Sequence, residues 1–173
     1  MSAQPVTSIL FVCLGNICRS PMAHVVLESR LADAGLDDRV AVTSSGTGGW
    51  HVGAPMDRRA AAALSAAGYD ATRHRARQHD PERADPADLT LAMDDDNLAD
   101  LVSTSSITDR GRIAKFRDFD TVERGTDVPD PYYGGDSGFE EVLAMVQRTA
   151  DQLVAQLEAS RPWAAGAGEV ASS

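Results

Sequence analysis

A short segment near the start of the chain combines a cysteine, an arginine and helix-starting residues. Five residues separate Cys13 from Arg19, and the segment reads Cys13-Leu14-Gly15-Asn16-Ile17-Cys18-Arg19-Ser20-Pro21. Gly15 and Asn16 are residue types that readily accept a positive φ, and a loop bent in that way turns backbone N–H groups inward as an anion-binding nest. Arg19 supplies a planar, bidentate donor for phosphate oxygens. The segment is therefore predicted to hold an anion such as phosphate.

The same surroundings favour Cys13 as a nucleophile. Backbone amides, the N-terminus of a following helix and Arg19 create a positive field, which favours the thiolate over the thiol. A thiolate at the base of a phosphate cradle is placed for in-line attack on phosphorus. Ser20 can donate its hydroxyl to the thiolate and later to the departing sulfur. A lone cysteine on a buried strand is usually a small core residue, but this combination of neighbours argues against inert packing.

Thiolate attack also requires a proton for the leaving group, and a carboxylic acid is a suitable donor. Prolines flank Asp130 on both sides and stiffen its backbone, and Tyr132 and Tyr133 follow it. Apolar rings beside a carboxyl group favour the protonated form, which can donate. Asp130 is the predicted acid and Asp127 is the alternative. Two further acidic residues belong to a run that is typical of a solvated helix face: Asp95 and Asp96.

Length, charge and cysteine content exclude several classes of protein. The 173 residues predict one domain, and 16 basic against 26 acidic residues give a net charge of −10, which argues against nucleic-acid or membrane binding. The two cysteines make neither a disulfide framework nor a metal site. No lysine precedes Lys115, so the loop is not a nucleotide P-loop. The first 18 residues lack the charge pattern of a signal peptide, so we expect a cytoplasmic protein with reduced thiols. Nothing in the sequence indicates an oligomer, and a monomer is the default expectation.

Strand-like and helix-like patterns alternate along the chain. Apolar runs predict strands over Ser8–Leu14, Val40–Ser45, Leu89–Met93 and Ile113–Phe116. The first predicted helix runs from Ser20-Pro21 to about Ala34 and is ended by Gly35, and the second covers Asp57–Ala67 and is ended by Gly68. A third helix is predicted to begin at Asp94. A fourth has an apolar face that begins at Phe139, behind a capping box of Ser137 and Glu140. This order predicts an α/β fold.

The predicted fold has a small four-stranded parallel sheet with helices on both faces. Ligands bind such sheets at the carboxyl ends of their strands, which places the phosphate-binding loop between the first strand and the first helix. Residues 1–162 are predicted to form the single domain. Residues 163–173 are mostly small and polar, and they predict a disordered tail.

The segment from Val12 to Ala23 resembles the phosphate-binding loop of the low-molecular-weight protein tyrosine phosphatases. Other segments resemble the same family in the same order: Ser44-Ser45-Gly46, Trp50-His51-Val52-Gly53, His74-Arg75-Ala76-Arg77-Gln78, Ala92-Met93-Asp94 and Asp130-Pro131-Tyr132-Tyr133-Gly134-Gly135. The resemblance covers about residues 6–160. It implies hydrolysis of phosphotyrosine in proteins through a cysteinyl-phosphate on Cys13, with Arg19 binding phosphate, Asp130 as the acid and no metal or other cofactor. Phosphate is then expected to bind as product or inhibitor.

The resemblance also implies the pocket and its supports. Three aromatic residues, Trp50, Tyr132 and Tyr133, surround the entrance. A deep aromatic slot suits phosphotyrosine, whereas the shorter phosphoserine would not reach Cys13. Ile17 favours the tyrosine branch, because members resembling phosphoarginine phosphatases tend to carry threonine there. The implied substrate-binding residues are Leu14, Gly15, Asn16, Ile17, Cys18, Ser20, Trp50, Tyr132 and Tyr133. The implied supports are Ser45 and His74, which brace Asn16, and Asp94. The other histidines, His24, His51 and His79, are assigned to surface or core.

Two other functions stay open at this point. An arsenate reductase on the same fold needs, in thioredoxin-coupled members, further cysteines downstream, and none follows Cys18. A phosphopeptide-binding module has no use for a nucleophile and an acid, yet both Cys13 and Asp130 are present. Cys18 itself is either a small filler beneath the loop or a thiol that captures oxidised Cys13 as a disulfide, as relatives with the same spacing are thought to do.

Overall fold

One parallel sheet forms the centre of the protein. The structure, a computed structural model, describes residues 6–82 and 86–164. The strands are β1 (Thr7–Cys13), β2 (Val40–Gly46), β3 (Leu89–Ala92) and β4 (Ile113–Lys115), in the order β2-β1-β3-β4. The helices are α1 (Arg19–Asp33), α2 (Arg58–Ala66), α3 (Asp95–Thr104) and α4 (Asp136–Ser160), with short 3-10 turns at Arg110–Arg112, Phe116–Phe119 and Pro162–Ala164. The predicted α/β class and four-stranded parallel sheet are confirmed.

Apolar side chains cover both faces of the sheet. Ile9 and Phe11 of β1 point into a large core shared with α1, α2 and α4, where Phe11 meets Phe116 edge to face at 5.0 Å. Leu10 and Val12 point the other way, into a smaller core that includes Leu101 of α3. Because successive strand residues point to opposite faces, a strand buried on both faces reads as the continuous apolar run seen in β1.

Most of the helix-end signals read from the sequence are present in the structure, and one is not. Asp57 and Asp94 cap α2 and α3 with their side chains, and Gly68 after α2 has the positive φ expected of a stop residue. The predicted capping box of Ser137 and Glu140 is wrong: α4 begins at Asp136, and its cap residue makes no side-chain hydrogen bond. Ser137 therefore lies inside the first turn, where its hydroxyl is not in the capping position.

The predicted tail starts too early. Trp163 is 8% exposed and packs in the large core, so the packed part of the chain extends past Pro162. A large indole buries enough apolar area to fix a segment that is otherwise small and polar. The rest of the predicted tail, from residue 165, lies outside the described residues.

Strand register brings the functional segments to one edge of the sheet. Cys13 pairs with Gly46, the last residue of β2, and Val12 pairs with Ala92, the last residue of β3. Because the strands are parallel, the segments that follow them meet at this edge. The loop between β1 and α1 therefore lies beside the end of β2 and the start of α3.

Candidate active site

The loop between β1 and α1 turns its amides inward. The Leu14 carbonyl accepts a hydrogen bond from Gly48 N at 2.9 Å, and the Ile17 carbonyl accepts one from Asp57 N at 2.9 Å. Across a planar peptide, the C=O of one residue and the N–H of the next point in opposite directions. These outward carbonyls therefore turn the following N–H groups toward the inside of the loop. The N-terminus of α1 adds its positive dipole at the same place, which makes the interior an anion site.

Cys13 forms the floor of this loop. It is the last residue of β1 and is 2% exposed. Its Sγ lies 2.9 Å from Ser20 Oγ, and Asn16 N donates a hydrogen bond to it at 3.3 Å. Both groups can donate to a negatively charged sulfur, which is the form that acts as a nucleophile.

Arg19 is fixed at the side of the same loop. Its guanidinium is buried, and Nη1 donates to Asp94 Oδ2 at 2.6 Å and to the Val128 carbonyl at 3.1 Å. Nη2 lies 3.5 Å from Asp130 Oδ2. Burial alone would lower the pKa of Arg19, but the charge of Cys13, the hydrogen bond to Asp94 and the charge of Asp130 raise it above its ordinary value. The arginine therefore stays charged although it is buried.

Asn16 is the residue that holds the loop in shape. Its φ of +57° lies in the left-handed region, which costs free energy for any residue but glycine. Asn16 Nδ2 donates to Ser20 Oγ at 2.8 Å and to Ser44 Oγ at 3.1 Å, and its Oδ1 accepts from Arg77 N at 3.0 Å. His74 Nε2 donates to the Asn16 carbonyl at 2.6 Å. Four polar partners therefore hold the strained conformation.

His74 makes the contact that the family resemblance implies, whereas Ser45 does not. Burial lowers the pKa of His74, so its neutral imidazole donates through Nε2. The expectation that Ser45 braces Asn16 is wrong, because Ser44 provides the hydroxyl. Neighbouring strand residues point to opposite faces, and only one of the two serines can face the loop. Ser45 instead offers its carbonyl to Ser20 Oγ at 3.4 Å and faces His79 Nδ1 with its hydroxyl.

Two glycines are needed here for space. Gly15 was expected, with Asn16, to adopt a positive φ, but of the two only Asn16 does so. A Cβ at Gly15 would lie 3.0 Å from His51 Cδ2. At Gly46, where β2 ends against the loop, a Cβ would lie 2.8 Å from Leu14 O, which real side chains essentially never tolerate. Glycine at these positions allows the loop, the pocket wall and β2 to approach closely.

A pocket of about 280 Å³ opens above Cys13. Trp50 and Tyr133 stand at its rim with 73% and 92% of their surface exposed, and Ile17 forms a buried part of its wall. His51, which was expected at the surface or in the core, also lines the pocket. The complete lining is Cys13, Leu14, Gly15, Ile17, Cys18, Arg19, Trp50, His51, Asp130, Tyr132 and Tyr133.

Asp130 is the carboxylate that reaches this pocket. Asp127, the alternative acid, binds Lys115 Nζ at 2.7 Å and accepts a hydrogen bond from Asp95 N, so it is held at the start of α3. Asp95 is exposed as expected and pairs with the same buried lysine at 2.8 Å. Asp120 is fully buried, where Arg148 and Arg117 hold its pKa well below the usual range.

This chain is similar to known proteins over most of its length. The sequence model of the family described as "Low molecular weight phosphotyrosine protein phosphatase" matches residues 8–162. The chain belongs to the low-molecular-weight protein tyrosine phosphatases. It is therefore an enzyme that hydrolyses phosphotyrosine by cysteine-based chemistry, which confirms the predicted family and function. The arsenate reductase and the non-catalytic binding module are set aside.

Relatives and solved structures agree with this assignment. A low molecular weight protein-tyrosine-phosphatase of Streptomyces coelicolor is 43% identical over 85% of this chain and 91% of its own. Low molecular weight protein-tyrosine phosphatase A of Mycobacterium tuberculosis is 48% identical over 80% of this chain and 84% of its own. The crystal structure of a protein tyrosine phosphatase from Entamoeba histolytica is 34% identical, covers 90% of this phosphatase and 99% of its own chain, and superposes with a TM-score of 0.85.

Two kinds of feature are not found in the described part of the phosphatase. Within residues 6–82 and 86–164, no group of three or more histidine, cysteine or acidic side chains is arranged to hold a metal ion. Over the same ranges, no helix is both long enough and apolar enough to span a bilayer.

Cys18 lies buried in the pocket wall as a free thiol. Burial, followed by the negative charges of Asp57, Cys13 and Asp130, raises the pKa of the Cys18 thiol. We expect peroxide to convert the Cys13 thiolate to a sulfenic acid, and Cys18 to displace hydroxide from it, so that a disulfide and water form. Dithiothreitol should then restore activity. Because the attacking species is the thiolate, capture should become faster as pH rises.

The comparison for this prediction is Cys18→Ser. The activity recovered after peroxide and dithiothreitol is expressed relative to each untreated protein, and it should fall in the variant. Phosphate should slow inactivation of both proteins by occupying the loop. Equal recovery, with no loss of two hydrogens in the mass of the oxidised wild type, would leave Cys18 with a packing role only.

Proposed function

We propose that Cys13, Arg19 and Asp130 carry out the phosphotyrosine hydrolysis of this phosphatase. The observation that carries the proposal is their convergence on one pocket. Cys13 Sγ lies at the floor between two donors, and Asp130 Oδ2 lies 3.5 Å from the Arg19 guanidinium. A phosphate held by the loop amides and Arg19 then has the sulfur on one side and the carboxyl group near its ester oxygen.

In the first step, the Cys13 thiolate attacks phosphorus in line with the tyrosine oxygen. The S–P bond forms while the P–O bond to tyrosine breaks, and Asp130 gives its proton to the departing phenolate. Arg19 and the inward N–H groups stabilise the charge on the three phosphoryl oxygens. The exposed rings of Trp50 and Tyr133 sit where the aromatic ring of the substrate enters.

In the second step, water attacks the cysteinyl-phosphate. Asp130, now a carboxylate, accepts a proton from the water while the S–P bond breaks and inorganic phosphate forms. The sulfur leaves as a thiolate, and Ser20, at 2.9 Å, donates its hydroxyl to the developing charge. The cradle that binds the substrate also fits the product, so we expect phosphate to be a competitive inhibitor.

The role of Asp130 is tested by leaving-group dependence. Asp130→Asn should lower kcat/KM for phenyl phosphate by roughly 10²–10⁴-fold, because kcat/KM reports the first step and the amide cannot protonate a basic phenolate. The loss should be much smaller for p-nitrophenyl phosphate, whose phenolate leaves without a full proton. Steady-state kinetics with both substrates measures the difference.

The matched control is Asp127→Asn, which removes a carboxylate three residues away that binds Lys115 instead. It should slow both substrates equally or not at all. The assignment of the acid is wrong if Asp127→Asn shows the leaving-group pattern and Asp130→Asn does not.

Phosphotyrosine-containing proteins are the substrates of this enzyme. We also propose that it works as a monomer in the cytoplasm and binds neither nucleic acid nor membranes. The net charge of −10 supports the last point, because it repels polyphosphates and anionic lipids outside the local cradle. The need for a reduced Cys13 supports a reducing compartment.

A further inference from the structure

We propose that Arg59 is a positioning residue that clasps the acid-bearing loop, residues 130–134, to the phosphate-binding loop. Arg59 is not one of the residues that line the pocket. It lies in the first turn of α2, two residues after the cap residue Asp57. The proposal rests on the proposed role of Asp130 as the acid, because positioning matters only if that carboxyl group reacts.

The first link joins α2 to the phosphate-binding loop. Asp57, the cap residue of α2, donates its N–H to the Ile17 carbonyl at 2.9 Å. Its carboxylate accepts from Arg59 N at 2.8 Å and from Ala60 N at 3.4 Å, which fixes the start of the helix. The same carboxylate also receives Nε and Nη2 of the Arg59 guanidinium, at 3.3 and 3.2 Å. The guanidinium is thereby oriented relative to the loop that holds phosphate.

The second link joins the guanidinium to the acid-bearing loop. Nη2 donates to the Tyr132 carbonyl at 2.8 Å, and Nη1 donates to the Gly134 carbonyl at 3.1 Å. The guanidinium carbon also lies over two aromatic rings, 5.6 Å from the centre of Tyr132 and 4.6 Å from that of Phe139. Every guanidinium nitrogen therefore has a partner, and the planar group is stacked as well as hydrogen-bonded.

The third link reaches the acid itself. Asp130 Oδ1 accepts a hydrogen bond from Tyr132 N at 3.1 Å. Tyr132 is therefore held at both ends of its backbone, by Arg59 at the carbonyl and by Asp130 at the amide. When Arg59 fixes this residue, it also fixes the direction of the Asp130 carboxyl group and the position of one aromatic pocket wall. Proton transfer depends steeply on such placement, since a shift of about 1 Å can cost roughly 10²-fold in rate.

The test compares Arg59→Gln with Arg58→Gln, its exposed neighbour on the same helix turn. Arg59→Gln keeps the backbone N–H that donates to the Asp57 cap but loses the forked guanidinium group. It should lower kcat/KM for phenyl phosphate by about 10²-fold, with a smaller loss for p-nitrophenyl phosphate. The inhibition constant of inorganic phosphate should stay unchanged, because Cys13 and Arg19 are untouched. Arg58→Gln should show none of these effects.

The same substitution made in the Asp130→Asn variant distinguishes a positioning role from general damage to the active site. In Asp130→Asn, the added change Arg59→Gln should cost little, because the group that it positions is already absent. Arg59→Lys keeps the charge but lacks the planar fork that spans the Asp57 carboxylate and the two carbonyls, so it should show the same leaving-group pattern to a smaller degree. Thermal unfolding of each variant shows that the enzyme is folded when it is assayed.

The outcomes distinguish this proposal from the assignment of the acid. If Asp130→Asn shows no leaving-group dependence, the assignment of Asp130 is wrong. If Asp130→Asn shows it but Arg59→Gln slows both substrates equally, or costs as much in the Asp130→Asn background as alone, the clasp is overturned. Unfolding of both Arg59→Gln and Arg59→Lys would also overturn it, since Arg59 would then serve the stability of the fold.

Discussion

Replacement of Cys13 by serine or alanine is expected to abolish turnover while the fold survives. The hydroxyl of serine is not ionised in this site, and alanine has no nucleophile, so no covalent phospho-enzyme can form. The loss in kcat should be about 10⁴-fold or more, as for the nucleophile of other covalent enzymes. Turnover of p-nitrophenyl phosphate at mildly acidic pH measures the loss in kcat. The mass of acid-quenched enzyme shows whether the covalent phospho-enzyme has formed.

The serine variant also carries its own control for the integrity of the site. The loop amides and Arg19 remain, so Cys13→Ser should still bind inorganic phosphate or a phosphotyrosine peptide in a calorimetric titration. Loss of binding would mean that the substitution damaged the loop. Substantial kcat in both the serine and the alanine variants would defeat the mechanism.

The second large effect is expected for Arg19→Lys. An arginine that stabilises a transferring phosphoryl group is worth about 10³–10⁵ in kcat, and an ammonium cannot reproduce its bidentate fork. Lysine would also have to replace two hydrogen bonds in a buried place, to Asp94 and to the Val128 carbonyl. We therefore expect a loss in this range, measured with p-nitrophenyl phosphate, together with weaker inhibition by phosphate.

The matched control for this substitution is Arg110→Lys, which makes the same change on an exposed turn. It should leave both kcat and phosphate inhibition near wild-type values. Activity of Arg19→Lys within a factor of about ten of wild type would show that charge alone suffices and that the fork geometry is not needed.

The sequence was sufficient for the parts of this enzyme that depend on local pattern. The apolar runs predicted all four strands, and their observed ends lie within one residue of the predicted ones. The segment from Cys13 to Pro21 predicted its own anion site, because strand, loop and helix N-terminus are contiguous in the chain. The apolar face of α4 was also predicted correctly, because the apolar residues of that face, from Phe139 to Leu157, are buried.

What escaped prediction depends on contacts between distant segments. The choice of Ser44 over Ser45 follows from which face of β2 meets the loop, and two adjacent serines do not reveal that. Trp163 packs only because the large core presents a place for an indole. Arg59 stands in an ordinary helix turn, and nothing in its neighbours shows that its guanidinium reaches the Tyr132 carbonyl.

Asp94 links Arg19 to the smaller core. One of its oxygens accepts from Asn97 N and starts α3, and the other holds Arg19. The helix that it starts packs in the smaller core with Leu101, away from the large one. Proteins open in units whose free energies differ, and a unit with few buried side chains opens first. An opening of α3 would take Asp94 from Arg19 and leave the Val128 carbonyl as the remaining hydrogen-bond acceptor of Nη1. We therefore expect heat to reduce activity before the molecule as a whole unfolds.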